Sequence, residues 1–301
     1  MSVSAFGAAP KKKINVGFSQ IGAESAWRIA DTESIISEAK KRPNIELKFS
    51  DAQQKQENQI KVIRSFIAQK VDVIGFTPVV ETGYEPVLRE AKKAKIPVII
   101  IDRTVDVKDT SLWVTHIGSD MVEEGRKVAK FMIAKGWKGN IAEMVGTVGS
   151  SAAIDRRQGF MEIVKNHPEL KVVLSKSGNF TRSEGKKVME TFLKDKGKNI
   201  NILYAHNDDM AIGAIQAIEE YGLRPGVDIK IISCDGIHDA FQAMIEGKLN
   251  CTVECNPLLG PQFFDAVEDL KAGKKLPKET ITKESIFPME VAKDIMPTRK
   301  Y

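Results

Sequence analysis

The chain has 301 residues, 42% hydrophobic and 28% charged, enough for one large or two ordinary globular domains with sizeable cores. Its formal net charge of +5 is mild, and apart from the run Lys11 to Lys13 the basic residues alternate with acidic ones, so a nucleic-acid partner is not expected. No apolar run approaches the roughly 20 residues that span a bilayer, and nothing suggests disorder or a fibre.

Residues Met1 to Pro10 are small and mostly apolar, with polar sequence beginning at Lys11. They read either as the stub of an export signal behind a start Met or as a plain unstructured terminus. From Ile14 onward, short apolar runs alternate with helical periodicity. Strands are predicted at 14–19, 45–50, 71–77 and 97–101, with helices at 27–41, around Ile60, Ile63 and Ile67, and at 85–95. Near-continuous apolar strands separated by helices predict a parallel sheet covered on both faces.

The rhythm restarts near Gly118 and Ser119. A helix is predicted at 121–135 with Val122, Val128, Met132 and Ile133 inward. Strands follow at 140–145, 170–175, 202–205 and 229–234, separated by helices at 154–165, 183–194 and 210–221. The last helix is expected to bury Met210, Ala214, Ala217 and Tyr221 and to end at a left-handed Gly222 before Pro225. Two βα assemblies of similar size result.

Three cysteines, Cys234, Cys251 and Cys255, form an odd set without CxxC spacing. Cys251 and Cys255 fall on one predicted strand about 13 Å apart, too far for a disulfide, so all three read as buried thiols. The four His are scattered, and neither a metal nor a cofactor is expected.

Ligands of open parallel sheets sit beyond the carboxyl ends of the strands. The polar residues at those ends are Ser19 and Gln20, Thr77, Asp102 and Arg103, then Asn207, Asp208 and Asp209, and finally Asp235. Carboxylates, amides and guanidinium groups suit sugar hydroxyls, each of which donates and accepts, while Trp27 and Phe180 offer flat faces to sugar C–H groups. Each also has a structural reading. Asp102 and Arg103 could pair with one another, Asn207 could be a helix N-cap, Asp235 could cap a turn, and both aromatics could be core. Competing motifs fail on spacing: Gly146-Thr-Val-Gly149 lacks the dinucleotide pattern, and the stretch from Gly178 to Lys186 is two residues too long for a P-loop. Asn179-Phe-Thr181 matches a glycosylation sequon by chance.

The runs Ile14-Asn-Val-Gly-Phe-Ser-Gln20, Ile101-Asp-Arg103, Asp155-Arg-Arg-Gln-Gly-Phe160, Ala205-His-Asn-Asp-Asp-Met210 and Cys234-Asp-Gly236 resemble the type I periplasmic sugar-binding proteins of bacterial ABC importers. The stretch from Gly17 to Arg28, the Gln-rich run from Gln53 to Gln59, and Asn179-Phe-Thr-Arg182 resemble its galactofuranose-binding branch. The resemblance implies two doubly wound parallel-sheet lobes joined by a three-segment hinge, with lobes at 14–118 plus 256–284 and at 119–255 plus 285–301. It implies a periplasmic monomer that closes around one monosaccharide and delivers it to membrane permease subunits, with no catalysis. By position, the sugar contacts would be Asp102, Arg103, Arg156, Phe180, Asn207 and Asp235, joined by Glu24, Trp27 and Arg28 from the closer branch. Ser19 and Asn256, the latter on the third crossing, complete the candidate set. Cys255 stands where the family often has Gln. The rivals are the effector domain of a sugar-responsive transcription regulator, which would need a helix-turn-helix ahead of the first strand, and a sugar isomerase or hydrolase using Asp102 with Asp235 or Asp208 with Asp209 as its carboxylate pair.

Overall fold

The computed structural model describes residues 13–301, so the expected export stub at Met1 to Pro10 lies outside the described residues. In the first half, β1 (Ile14–Gln20), α1 (Ala26–Lys41), β2 (Ile45–Asp51), α2 (Gln56–Ala68), β3 (Val73–Phe76), α3 (Glu85–Lys93), β4 (Val98–Ile101) and β5 (Thr115–Gly118) alternate as the apolar runs require. Strand side chains point to opposite faces in turn. Ile99 and Ile101 of β4 therefore pack with residues of α1, whereas Val98 and Ile100 pack with residues of α2 and α3.

The second half repeats the pattern through α4 (Met121–Ala134), β6 (Gly139–Val145), α5 (Ser151–Val164), β7 (Leu170–Ser177), α6 (Arg182–Lys196), β8 (Ile202–Ala205), α7 (Asp208–Glu220), β9 (Lys230–Asp235), α8 (His238–Ile245) and β10 (Cys251–Glu254). The chain then returns through α9 (Gly260–Lys271) to β11 (Glu279–Ile281) and finishes with β12 (Ile286–Pro288) and α10 (Ala292–Ile295).

Two six-stranded sheets result, in the orders β11-β5-β4-β3-β1-β2 and β12-β10-β9-β8-β6-β7. All pairings are parallel except that of β12 with β10. The chain passes between the sheets three times: after β5, after β10 and between β11 and β12. This is the expected pair of doubly wound lobes.

Several details differ from expectation. Tyr221 is 48% exposed because α7 ends at Glu220 and Tyr221 is its C-cap, where the chain already turns away. Gly222 does take the left-handed conformation there, at φ +85. Val122 and Ile133 are only half-buried, and the inward face of α4 is completed by Met121, Ala129 and Phe131. All three cysteines are free and buried, and Cys255 lies one residue past β10.

Candidate functional site

Strand ends and helix starts converge between the lobes. Each helix start is capped by its own sequence: Ser25 Oγ accepts Arg28 N–H at 3.1 Å, Ser150 Oγ accepts Ala153 N–H at 3.3 Å, Thr181 Oγ1 accepts Glu184 N–H at 3.2 Å and Asn207 Oδ1 accepts Met210 N–H at 3.0 Å. Such caps satisfy the free amides of the first turn and fix the side chains beside them. Together these strand ends and helix starts line a cleft between the lobes.

Nine of the eleven candidate residues line it: Glu24, Trp27, Arg28, Asp102 and Arg103 from the first lobe, and Arg156, Phe180, Asn207 and Asp235 from the second. Ser19 does not, because β1 runs on to Gln20 and leaves Ser19 inside the sheet, its carbonyl accepting Thr77 N–H at 3.2 Å. Asn256 does not line the cavity either. Its Oδ1 accepts Leu258 N–H at 2.9 Å and its N–H goes to Glu284 Oε1 at 3.1 Å, so its side chain builds a turn in a crossing that is the second along the chain, not the third as expected. Ser25, Met121, Ala152 and Cys255 complete the wall. Ser25, Met121 and Ala152 escaped the sequence reading because they are small or apolar and follow no apolar strand run, whereas Cys255 stood out only for its place in the family pattern.

The charges are organised lobe by lobe. In the first lobe, Arg28 Nη2 donates to Asp102 Oδ2 at 2.6 Å, Nη1 to Asp31 Oδ2 at 3.2 Å and Nε to Glu24 Oε1 at 3.2 Å. Burial opposes its charge, but Asp102, Glu24 and Asp31 together push its pKa up. Arg103 Nη1 donates to the Val79 carbonyl at 2.9 Å, and burial together with the Arg28 charge pulls Arg103 down to about 10. Asp102 and Arg103 do not form the expected pair with one another.

In the second lobe, Arg156 donates from Nε to Glu124 Oε2 at 2.6 Å, from Nη1 to the His206 carbonyl at 2.6 Å and from Nη2 to Asp235 Oδ1 at 3.4 Å. Burial raises the Asp235 carboxyl well above the usual carboxylate range, against the pull of Arg156. Asn207 is the helix cap of the structural reading and a cavity wall at once, its Nδ2 donating to the Phe180 carbonyl at 3.1 Å.

Two aromatics complete the enclosure. The Phe180 ring centroid lies 5.1 Å from the Arg103 guanidinium carbon and 6.0 Å from that of Arg156, within cation–π range. A Cβ on Gly146 would come within 1.9 Å of that ring, so glycine is needed for Phe180 to lie there. Trp27 Nε1 donates to the Cys255 carbonyl at 2.6 Å and its ring carries Arg28 at 4.6 Å. Asp102, Phe180 and Asp235 all take positive φ, at +62, +61 and +121. Such conformations in residues other than glycine cost on the order of 1–3 kcal/mol and gather at ligand sites.

Two of the lining residues keep a buried polar atom without a hydrogen-bond partner. Arg103 Nε and Glu24 Oε2 are both of this kind, one donor and one acceptor. The lining sets acidic groups beside guanidinium groups, Glu24 and Asp102 with Arg28 and Asp235 with Arg156, so that hydrogen-bond donors and acceptors are matched there. A neutral polyhydroxylated molecule fits that matched lining better than an ion does. The carboxylate pair Asp208 and Asp209 faces elsewhere. Asp208 accepts Gly236 and Ile237 N–H at 2.7 and 2.9 Å and the Thr252 hydroxyl at 2.8 Å, and Asp209 pairs with Arg182 at 2.9 Å.

One group among the described residues could offer ligands to a metal. Glu124, Cys255 and Glu284 bring donor atoms within 4.8 Å of one another. Glu284 and Cys255 are already engaged, whereas Glu124 bonds Arg156 through Oε2 and keeps Oε1 without a partner. Glu284 Oε1 accepts from Ser119 Oγ, from Thr282 Oγ1 at 2.8 Å and from Asn256 N at 3.1 Å, while Ser119 Oγ also lies 3.3 Å from Cys255 Sγ. Ser119, Cys255 and Glu284 belong to the three crossings in turn, so the cluster ties the hinge together. Burial, followed by the Glu124 charge, raises the Glu284 carboxyl to about 8.

Residues 16–275 match the family model for a periplasmic binding protein domain. The chain belongs to the periplasmic binding protein family. This periplasmic binding protein is 50% identical to the galactofuranose-binding protein YtfQ of Escherichia coli over 95% of its own length and 92% of the relative's. A Shewanella arabinose ABC transporter component bound to α- and β-L-arabinofuranose superposes with a TM-score of 0.92 at 51% identity, covering 95% of each chain. A Mycobacterium smegmatis protein in complex with β-D-fucofuranose gives 0.91 at 49% identity, covering 96% of this chain and 95% of the other. The periplasmic binding protein is accordingly not an enzyme. Among its described residues, no helix is long and apolar enough to cross a membrane.

Proposed function

We propose that this protein is the periplasmic receptor of an ABC sugar importer and closes around a single monosaccharide, a furanose such as galactofuranose or arabinofuranose. The observation that carries this reading is the cavity between the lobes, lined by matched acidic and guanidinium side chains, where Arg103 keeps a buried donor and Glu24 a buried acceptor without a partner. One sugar hydroxyl can serve both, since it accepts and donates at once. The furanose preference draws support from the ligands named for the relatives.

On this reading the lobes comprise 14–118 plus 256–284 and 119–255 plus 285–301, and hinge closure lets one sugar bridge them. Asp102 and Arg103 hold the sugar from one side and Arg156, Asn207 and Asp235 from the other, with Trp27 and Phe180 against its C–H faces. Glu24 and Arg28 complete the first-lobe contacts. The sugar shifts the open–closed equilibrium because it touches both lobes only in the closed form. The receptor acts as a monomer and passes its sugar to the membrane permease.

Thermal-shift screening against pentoses and hexoses, followed by calorimetry, tests the proposal. A ligand that binds only the folded state raises its melting temperature, and a micromolar affinity corresponds to about 8 kcal/mol. A panel in which no aldose raises the melting temperature rejects it.

A further inference from the structure

Helix α1 has no acidic residue in its first turn, so the positive end of its dipole and its free amides lack a local countercharge. The opposite lobe supplies one. Asp209 Oδ2 accepts the Ala26 N–H at 2.8 Å. Asp209 is not part of the cavity wall. Its Oδ1 accepts from Arg182 Nε and Nη2 at 3.1 and 2.9 Å, and Arg182 Nη2 also reaches Asp239 Oδ2 at 2.9 Å. Those partners all lie in the second lobe, so the carboxylate is held in place without help from the first. The bond to Ala26 forms only when the lobes meet, and Ala26 adjoins the wall residues Ser25 and Trp27. Other bonds also cross between lobes, among them Thr104 N–H to Ser151 Oγ at 2.9 Å, Glu81 N–H to the Gly149 carbonyl at 2.9 Å and Trp27 Nε1 to the Cys255 carbonyl at 2.6 Å.

We infer that Asp209 is an interlobe latch, a positioning residue that touches no sugar yet sets how long the closed receptor retains one. The inference rests on the receptor reading above. Opening breaks the Asp209–Ala26 bond and returns the Ala26 amide to water, while Asp209 stays paired with Arg182. The latch therefore adds to the closed state and leaves each separate lobe as it was. A hydrogen bond to a charged group changes an equilibrium by roughly tenfold to a hundredfold, and the change falls on dissociation, where most affinity differences between variants lie.

Two substitutions remove the bond from opposite ends. Asp209→Ala deletes the acceptor. Ala26→Pro deletes the donor at the first helical position, where proline is tolerated, and Ser25 before it is already extended at φ −145 and ψ 160, as a residue preceding proline prefers. Stopped-flow with L-arabinose and D-galactose is expected to show dissociation faster by about tenfold to a hundredfold in each variant, with association little changed. The double variant is expected to be no faster than either single one, and the melting temperature of sugar-free Ala26→Pro, which leaves the Asp209–Arg182 pair intact, to stay within about 2 °C. Unchanged dissociation, multiplied effects in the double variant, or a sugar-free melting temperature of Ala26→Pro that falls in step with affinity overturns the latch. If the wild type binds neither sugar, the receptor reading fails by itself. Spin-label distances between the lobes then decide the latch. It requires both variants to shift toward longer separations, and identical distributions overturn it.

Discussion

Arg28 Nη2 lies 2.6 Å from Asp102 Oδ2, joining the first turn of α1 to the end of β4 with both side chains buried. The same guanidinium also serves Asp31 and Glu24, so one cation holds three carboxylates out of water. Breaking a buried pair leaves its partner uncompensated and costs about 3–5 kcal/mol. Arg28→Ala is therefore expected to lower the melting temperature by more than about 6 °C in scanning calorimetry and to weaken sugar binding as well. A fall of less than about 2 °C contradicts this account of the network.

Asp235 presents a different balance, because burial already disfavours its charge. Asp235→Ala is expected to reduce sugar affinity roughly tenfold to several hundredfold, since losing its hydrogen bonds and leaving their partners unpaired is of that size. Asp102→Ala and Arg103→Ala are expected to weaken binding by a similar factor. Calorimetric titration returning wild-type affinity for all three removes the site assignment.

The pH dependence of stability carries a sign that can be checked. Burial, the leading cause, raises the Asp31 carboxyl to about 7 from an ordinary value of 3.8, so the folded chain holds this proton more tightly than the unfolded one. The resulting stability is complete below about pH 4 and is lost as pH rises through 7. Glu284, raised to about 8, acts in the same direction over pH 4.5 to 8. Asp31→Asn and Glu284→Gln stay neutral throughout. Each is expected to gain stability relative to the wild type as pH increases from 4 to 8, by a few kcal/mol at most. Urea melts at both ends of that range measure it, and a difference independent of pH refutes the assignment.

The interior strands and the residues at their carboxyl ends were legible in the sequence because burial on both faces writes continuous apolar runs such as Val98 to Ile101. Shorter strands were not. Thr115 to Gly118, Glu279 to Ile281 and Ile286 to Pro288 carry too few apolar residues to stand out, and their pairing comes from distant segments. Ser19 was misplaced by a single residue of strand length, since β1 reaches Gln20. The partner of Asp102 was hidden because Arg28 lies 74 positions away, whereas Arg103 is adjacent. Positive φ at Asp102, Phe180 and Asp235 leaves no local mark, as none of the three is glycine.

Cys255, though buried, lines the cavity between the lobes, whereas Cys234 and Cys251 are buried in β9 and β10 away from it. Alkylation by iodoacetamide is expected to reach Cys255 first, and slowly, because burial raises its thiol pKa. A saturating bound sugar is expected to slow that modification by at least about tenfold, following the population of the open form. Peptide mass spectrometry separates the three thiols, and identical rates with and without sugar count against a cavity that opens.

Both sheets are completed late. The first needs β11 at 279–281 and the second needs β12 at 286–288, so each lobe waits for sequence from the last tenth of the chain. During synthesis, neither half has all its strands until nearly every residue has left the ribosome. Each sheet lacks an edge strand until then, and cutting the gene at the midpoint yields two unfinished pieces and no self-sufficient domain.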